Sequence, residues 1–101
     1  MPKLFEYFGL IVLFFSNEHA PIHVHGLYDG QESRAELVLR NGKVTRIRFA
    51  GVKGRKPLDA RRMRDFRKLV RHYQDDIVQK WVEYFVLNKR FKPQTISRRL
   101  A

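Results

Sequence analysis

Three imidazoles stand within seven positions of one another: His19, His23 and His25, inside the stretch Asn17-Glu18-His19-Ala20-Pro21-Ile22-His23-Val24-His25-Gly26. Imidazole changes charge nearest neutral pH and is the commonest protein ligand of transition metals. On an extended segment His23 and His25 fall on the same face, about 6–7 Å apart at their backbones. Three chemistries fit this pattern. In the first, His23 and His25 hold a metal ion, with His19 as a third ligand from the turn before Pro21 and Glu18 or Glu36 as an oxygen donor. Such a set suits zinc, with Zn–N near ~2.1 Å, or manganese, iron or nickel, and metal-bound water is a nucleophile near neutral pH. In the second, the imidazoles move protons without metal. One takes the 2′-hydroxyl proton of RNA, another protonates the leaving oxygen, and Arg34, Arg46 or Arg48 stabilises the phosphorane-like charge. In the third, the rings only pack and hydrogen-bond, with Asn17-Glu18-His19 as a turn. The fourth histidine, His72, ends a basic helix, where a protonated ring favours the helix dipole.

Charge is the second unusual feature. Thirteen of the 21 Lys/Arg residues but only two of the 10 Asp/Glu residues lie between Arg40 and Arg71, so that segment carries +11 and the rest of the chain balances. A pI near 10.6 favours polyanionic partners: RNA, DNA or an acidic protein. The candidate nucleic-acid contacts are Arg46, Arg48, Lys53, Arg55, Lys56, Arg61, Arg64, Arg67, Lys68 and Arg71. Five of them, from Arg61 to Arg71, form a row at helical spacing that would grip phosphates and give affinity without reading sequence. The Gly51-Val52-Lys53-Gly54-Arg55-Lys56 loop adds cations but matches no phosphate-loop pattern.

The elements that must position these residues follow from periodicity. Leu4–Phe8 and Leu10–Phe15 are strands about a turn at Gly9, and His23–Tyr28 is a third strand ending at Asp29-Gly30. Arg34–Arg40 and Lys43–Phe49 flank Asn41-Gly42, a hairpin signal. A plain two-residue loop would set Leu37 against Arg46 and Ala35 against Arg48. A bulged three-residue loop, Arg40-Asn41-Gly42 with Gly42 left-handed, instead pairs Leu39 with Lys43, Leu37 with Thr45, Ala35 with Ile47, Val38 with Val44 and Glu36 with Arg46, which is the expected register. Leu58–His72 reads as a helix with Met63, Phe66, Leu69, Val70 and Tyr73 on one stripe, and Arg62 inside that arc must snorkel or find a partner. Asp75-Asp76 suits the start of a second helix that buries Ile77, Val78, Trp81, Val82, Tyr84 and Phe85.

The expected architecture is α+β: an antiparallel sheet of about five strands followed by two C-terminal helices on one face. One domain spans residues 1–88, and a basic tail spans 89–101, partly disordered unless a partner orders it. There is no cysteine, which excludes disulfides and thiolate metal sites and suits a cytoplasmic location. The apolar run Tyr7–Phe15 falls well short of the roughly 20 residues of a spanning helix, and no small-residue cleavage site follows it. It reads as buried strand, with no membrane partner.

The string Phe15-Ser16-Asn17-Glu18-His19-Ala20-Pro21-Ile22-His23-Val24-His25 resembles the signature of an uncharacterised bacterial family, domain of unknown function 4160. Trp81-Val82-Glu83-Tyr84-Phe85 is similar to its closing helix, so the resemblance covers most of residues 1–86. It implies no activity. Members often sit beside another small protein in an arrangement like a toxin–antitoxin pair, which implies a small acidic partner encoded nearby. This chain departs from the family in having Ala20-Pro21-Ile22 where many relatives carry Pro-Pro, and in its strongly basic first helix. The resulting expectation is a small cytoplasmic RNA-binding protein, a toxin-like ribonuclease. His19, His23 and His25 would be its reactive or zinc- or manganese-binding cluster, and it could form a homodimer. The alternative is a non-enzymatic module whose basic face binds an acidic partner protein.

Overall fold

The computed structural model describes residues 2–15 and 21–101. In chain order the elements are strands β1 (Lys3–Tyr7), β2 (Leu10–Leu13), β3 (Ile22–Tyr28), β4 (Gln31–Arg40) and β5 (Lys43–Gly51). Helices α1 (Ala60–His72) and α2 (Gln74–Trp81) follow, then a π-helical turn (Val82–Val86) and strand β6 (Gln94–Ile96). The strands form one sheet in the order β5-β4-β3-β2-β1-β6. Every neighbouring pair is antiparallel except β1 and β6, which run parallel.

This is the expected α+β arrangement with one strand more. The sixth comes from the segment read as a tail, whose Gln94, Thr95 and Ile96 lie beside Phe5, Glu6 and Tyr7. Farther on, the Leu100 backbone N–H donates to the Tyr7 hydroxyl at 2.9 Å. The Arg99 guanidinium sits 3.9 Å over the Phe8 ring and 3.3 Å from Asp65. Charge alone marked this segment as solvated, but Ile96 is an apolar anchor that is buried in the core.

Both helices cover one face of the sheet. Asp59 caps α1 by accepting from the Arg62 N–H at 2.9 Å, which satisfies an otherwise orphan donor. Phe66, Leu69 and Val70 of α1 and Ile77 of α2 are fully buried against Phe5, Val12, Val24, Ala35 and Leu37. The rest of the expected α2 stripe is only partly buried. Arg62 resolves its place in the apolar arc by laying its guanidinium 3.9 Å over the Tyr28 ring and donating to the Tyr28 hydroxyl. Gly26 lies directly beneath α1: a Cβ there would come within 2.8 Å of the Phe66 ring. That contact orients all of β3, because neighbouring side chains alternate across a strand. Val24 and Gly26 face the helices, and His23 and His25 face the other way.

The β4–β5 hairpin corrects the expected register. Asn41 and Gly42 both have left-handed backbones, with φ of 53° and 78°, and form a two-residue turn that pairs Arg40 with Lys43 and Leu39 with Val44. A bulge then intervenes, so Val38 meets Arg46, Leu37 meets Ile47, Glu36 meets Arg48 and Ala35 meets Phe49. Thr45 is the extra residue, and its hydroxyl donates to the Val38 carbonyl at 3.3 Å. The conflict that counted against a two-residue loop is thus relieved inside the strand, where one added residue restores the facing of all that follows. Ile47 and Phe49 turn to the core, with Phe49 5.7 Å from Phe66. Arg46 and Arg48 turn to the outer face.

Candidate functional site

The sheet face away from the helices carries the chemistry. On β3 it presents His23 and His25, on β4 Glu32, Arg34 and Glu36, and on β5 Arg46 and Arg48, because these residues pair across or lie two apart along their strands. The Asp29-Gly30 turn sets the β3–β4 register. Both residues have positive φ, 47° and 77°, and the turn closes on Tyr28 and Gln31, which places Arg34 opposite His25.

His25 is the best-held member. It is 5% exposed and Glu32 6%. The His25 Nδ1 lies 2.9 Å from Glu32 Oε2, and its ring lies 4.0 Å from that of Phe15. A carboxylate accepts, so Nδ1 carries a proton and donates it; in the neutral form of the ring the lone pair falls on Nε2. The other Glu32 oxygen lies 3.3 Å from Arg55 Nε, so this buried carboxylate has a partner on each side. His23 Nδ1 also carries a proton, for a different reason: it lies 2.9 Å from the Pro21 carbonyl, which can only accept. The two rings are 5.4 Å apart.

The basic loop after β5 is pinned against the start of β4 by three consecutive residues. The Gln31 side-chain oxygen accepts from the Asp59 N–H at 3.0 Å, and the Ser33 hydroxyl accepts from the Leu58 N–H at 3.1 Å. Between them, the Glu32 N–H donates to the Lys56 carbonyl at 2.8 Å. This fixed loop closes one wall of a cleft of about 380 Å³, lined by His25, Arg34, Gly51, Val52 and Lys53. A carboxylate-oriented imidazole therefore opens onto a space bordered by two cations. The arrangement can transfer a proton and hold an anion.

Of the expected site residues, the structure brings together His23, His25, Arg34, Arg48 and the Lys53–Lys56 loop, and it adds Glu32. Glu32 was missed because the fourth strand was read from Arg34; extending the hairpin back to its turn places Glu32 diagonal to His25. Glu36 stands opposite His23 but pairs with Arg48 at 3.8 Å. His19 and Glu18 lie outside the described residues, and among the described residues no three His, Asp or Glu side chains gather to hold a metal. The helical row does not share the histidine cleft. Arg61, Arg64, Arg67, Lys68 and Arg71 belong to α1, which covers the opposite face, so the sheet separates them from His25. Four of them, Arg64, Arg67, Lys68 and Arg71, line a separate cleft of about 590 Å³ that runs along α1 from Leu58. The two faces approach each other around β5, where Arg67 and Arg71 reach over the Phe49 ring at 5.6 and 5.5 Å.

Among the described residues no helix is long and apolar enough to cross a membrane. A family model described as Domain of unknown function (DUF4160) matches residues 9–82. No curated protein and no solved structure matches the chain.

Proposed function

This chain belongs to the DUF4160 family, whose description assigns no activity, and we propose that it binds RNA by its phosphate backbone and cleaves it by proton transfer at His25. The observation that carries this reading is the buried His25–Glu32 pair, 2.9 Å apart, beside a cleft lined by Arg34 and Lys53. Neutral His25 takes the 2′-hydroxyl proton at Nε2, and the oxygen attacks phosphorus. The bond to the 5′ oxygen breaks, leaving a 2′,3′-cyclic phosphate, and His23, acting as the imidazolium, delivers its Nε2 proton to the departing oxygen. Glu32 holds the His25 tautomer and stabilises the ring once it is charged, while Arg34 and Lys53 offset the charge that grows on the phosphoryl oxygens. The cations of α1 and β5 anchor more distant phosphates. Such an enzyme would act in the cytoplasm as the toxin-like member of a pair.

The test is cleavage of a labelled RNA by the full chain. His25→Gln and His23→Gln should each lower the rate by about 10²–10⁴-fold while leaving salt-dependent RNA binding in place. Undiminished cutting by both variants would sink the assignment.

A further inference from the structure

β5 is the outer strand of the sheet, and among the described residues no strand lies beyond it. In an antiparallel pair, residues alternate between those bonded to the neighbour and those whose N–H and C=O point away. The β3–β4 turn closes on the bonded pair Tyr28 and Gln31, so β4 turns Arg34, Glu36 and Val38 toward β5, opposite Ala50, Arg48 and Arg46. It follows that Ile47 and Phe49 direct their backbone N–H and C=O outward. The side chains beside this open edge are cationic on both faces: Arg46 and Arg48 on the outer one, Arg67 and Arg71 over the Phe49 ring on the other. A hollow of about 340 Å³ at the bulge lies between Arg46 and Arg71.

We propose that the β5 edge takes up an acidic extended segment of a partner protein as a seventh strand. The bonding pattern asks for a strand, and the charge decides which strand. A second copy of this chain, pairing antiparallel through β5, would bring its Arg46 and Arg48 beside these and be repelled, since like charges across a strand pair destabilise it. A strand carrying carboxylates at alternate positions meets Arg46 and Arg48 on one face, while its backbone bonds to Ile47 and Phe49 supply affinity independent of its other side chains. This site does not rest on the RNA reading, and its occupant would cover some of the same cations.

The experiment is amide hydrogen exchange by NMR on the full chain, titrated with a capped peptide alternating glutamate and valine and matched to β5 in length. Exchange at Ile47 and Phe49 should slow by about tenfold or more, with little change at Arg46 and Arg48, whose amides already bond to β4. The protection should vanish in the double variant Arg46→Glu/Arg48→Glu. It should vanish also in Ile47→Pro, which removes an outward N–H that pairs with no strand among the described residues; if that variant does not fold, the charge variant decides. Unchanged exchange at Ile47 and Phe49, or equal binding to the charge-reversed variant, overturns the proposal. An oligouridylate run in parallel should leave these two amides unprotected; equal protection by it would make the edge an RNA surface and overturn the proposal too.

Discussion

At the scale of single residues, the group with most to lose is Glu32. Its carboxylate is buried between His25 and Arg55, and a buried hydrogen bond to a charged group is worth about 1.5–3 kcal/mol. Glu32→Gln should therefore lower unfolding free energy by about 1.5–3 kcal/mol in denaturant titrations and slow RNA cleavage as well. Arg55 has a side chain 47% exposed, so Arg55→Ala should cost no more than about 1 kcal/mol; a loss as large as that of Glu32→Gln would show that the guanidinium, not the imidazole, holds the carboxylate. A chelator provides a separate check. If proton transfer by His23 and His25 suffices, exhaustive dialysis against it leaves the cleavage rate unchanged, whereas a loss restored by zinc or manganese would assign the reaction to a metal site that His19 completes. The facing of His23 and His25 was legible from their spacing alone. Their partner was not, because a carboxylate seven residues away becomes a neighbour only when a two-residue turn closes the hairpin between them.

Among the elements, the bulge in β5 determines which face each arginine of the strand occupies. Because Thr45 is the surplus residue of that pairing, deleting it should preserve the facing of Arg46, Ile47, Arg48 and Phe49. The expected cost is under about 1 kcal/mol, less than that of Phe49→Ala, which removes a partly buried ring packed on Phe66. A deletion as damaging as the Phe49 change would mean that the bend itself is required. At the other edge, Lys3 Nζ donates to Glu6 at 2.8 Å, and the Thr95 hydroxyl of β6 lies 3.4 Å from the same carboxylate. The Lys3 hydrogen bond, then its charge, hold the Glu6 carboxyl below its ordinary range. A depressed folded value means that ionised Glu6 adds stability above the unfolded pKa and loses it as pH falls through the lowered one. Lys3→Met should raise the Glu6 titration midpoint in carboxyl NMR; an unmoved midpoint would rule out the ammonium as its cause. Turn residues and apolar stripes revealed most of these elements. The place of the bulge, at Thr45 instead of at the turn, and the existence of β6 escaped because each depends on a distant neighbour, the core face of α1 in one case and strand β1 in the other.

Over the whole molecule, the sheet separates the histidine cleft from the cations of α1. The α1 cations lie across it from His25, so the two sets should fail differently. Arg64→Gln, Arg67→Gln and Arg71→Gln together should flatten the dependence of RNA affinity on salt, which runs near −0.7 per neutralised phosphate on single strands. They should raise KM while kcat holds, whereas His25→Gln should lower kcat and leave the salt slope alone. A triple variant that loses kcat with its salt slope intact would remove α1 from the binding surface. Residue types and their periods determined on their own that this chain makes a sheet followed by two helices, that two imidazoles share a strand face, and that the positive charge is confined to one stretch. These are properties of near neighbours, fixed by alternation along a strand and by turns of a helix. Only the tertiary structure decided that the imidazoles and the helical cations occupy opposite faces, and that Glu32 rather than Glu36 holds His25. The side of the sheet on which a helix lands depends on where the large apolar side chains find room, and here Gly26 opens the space that Phe66 fills.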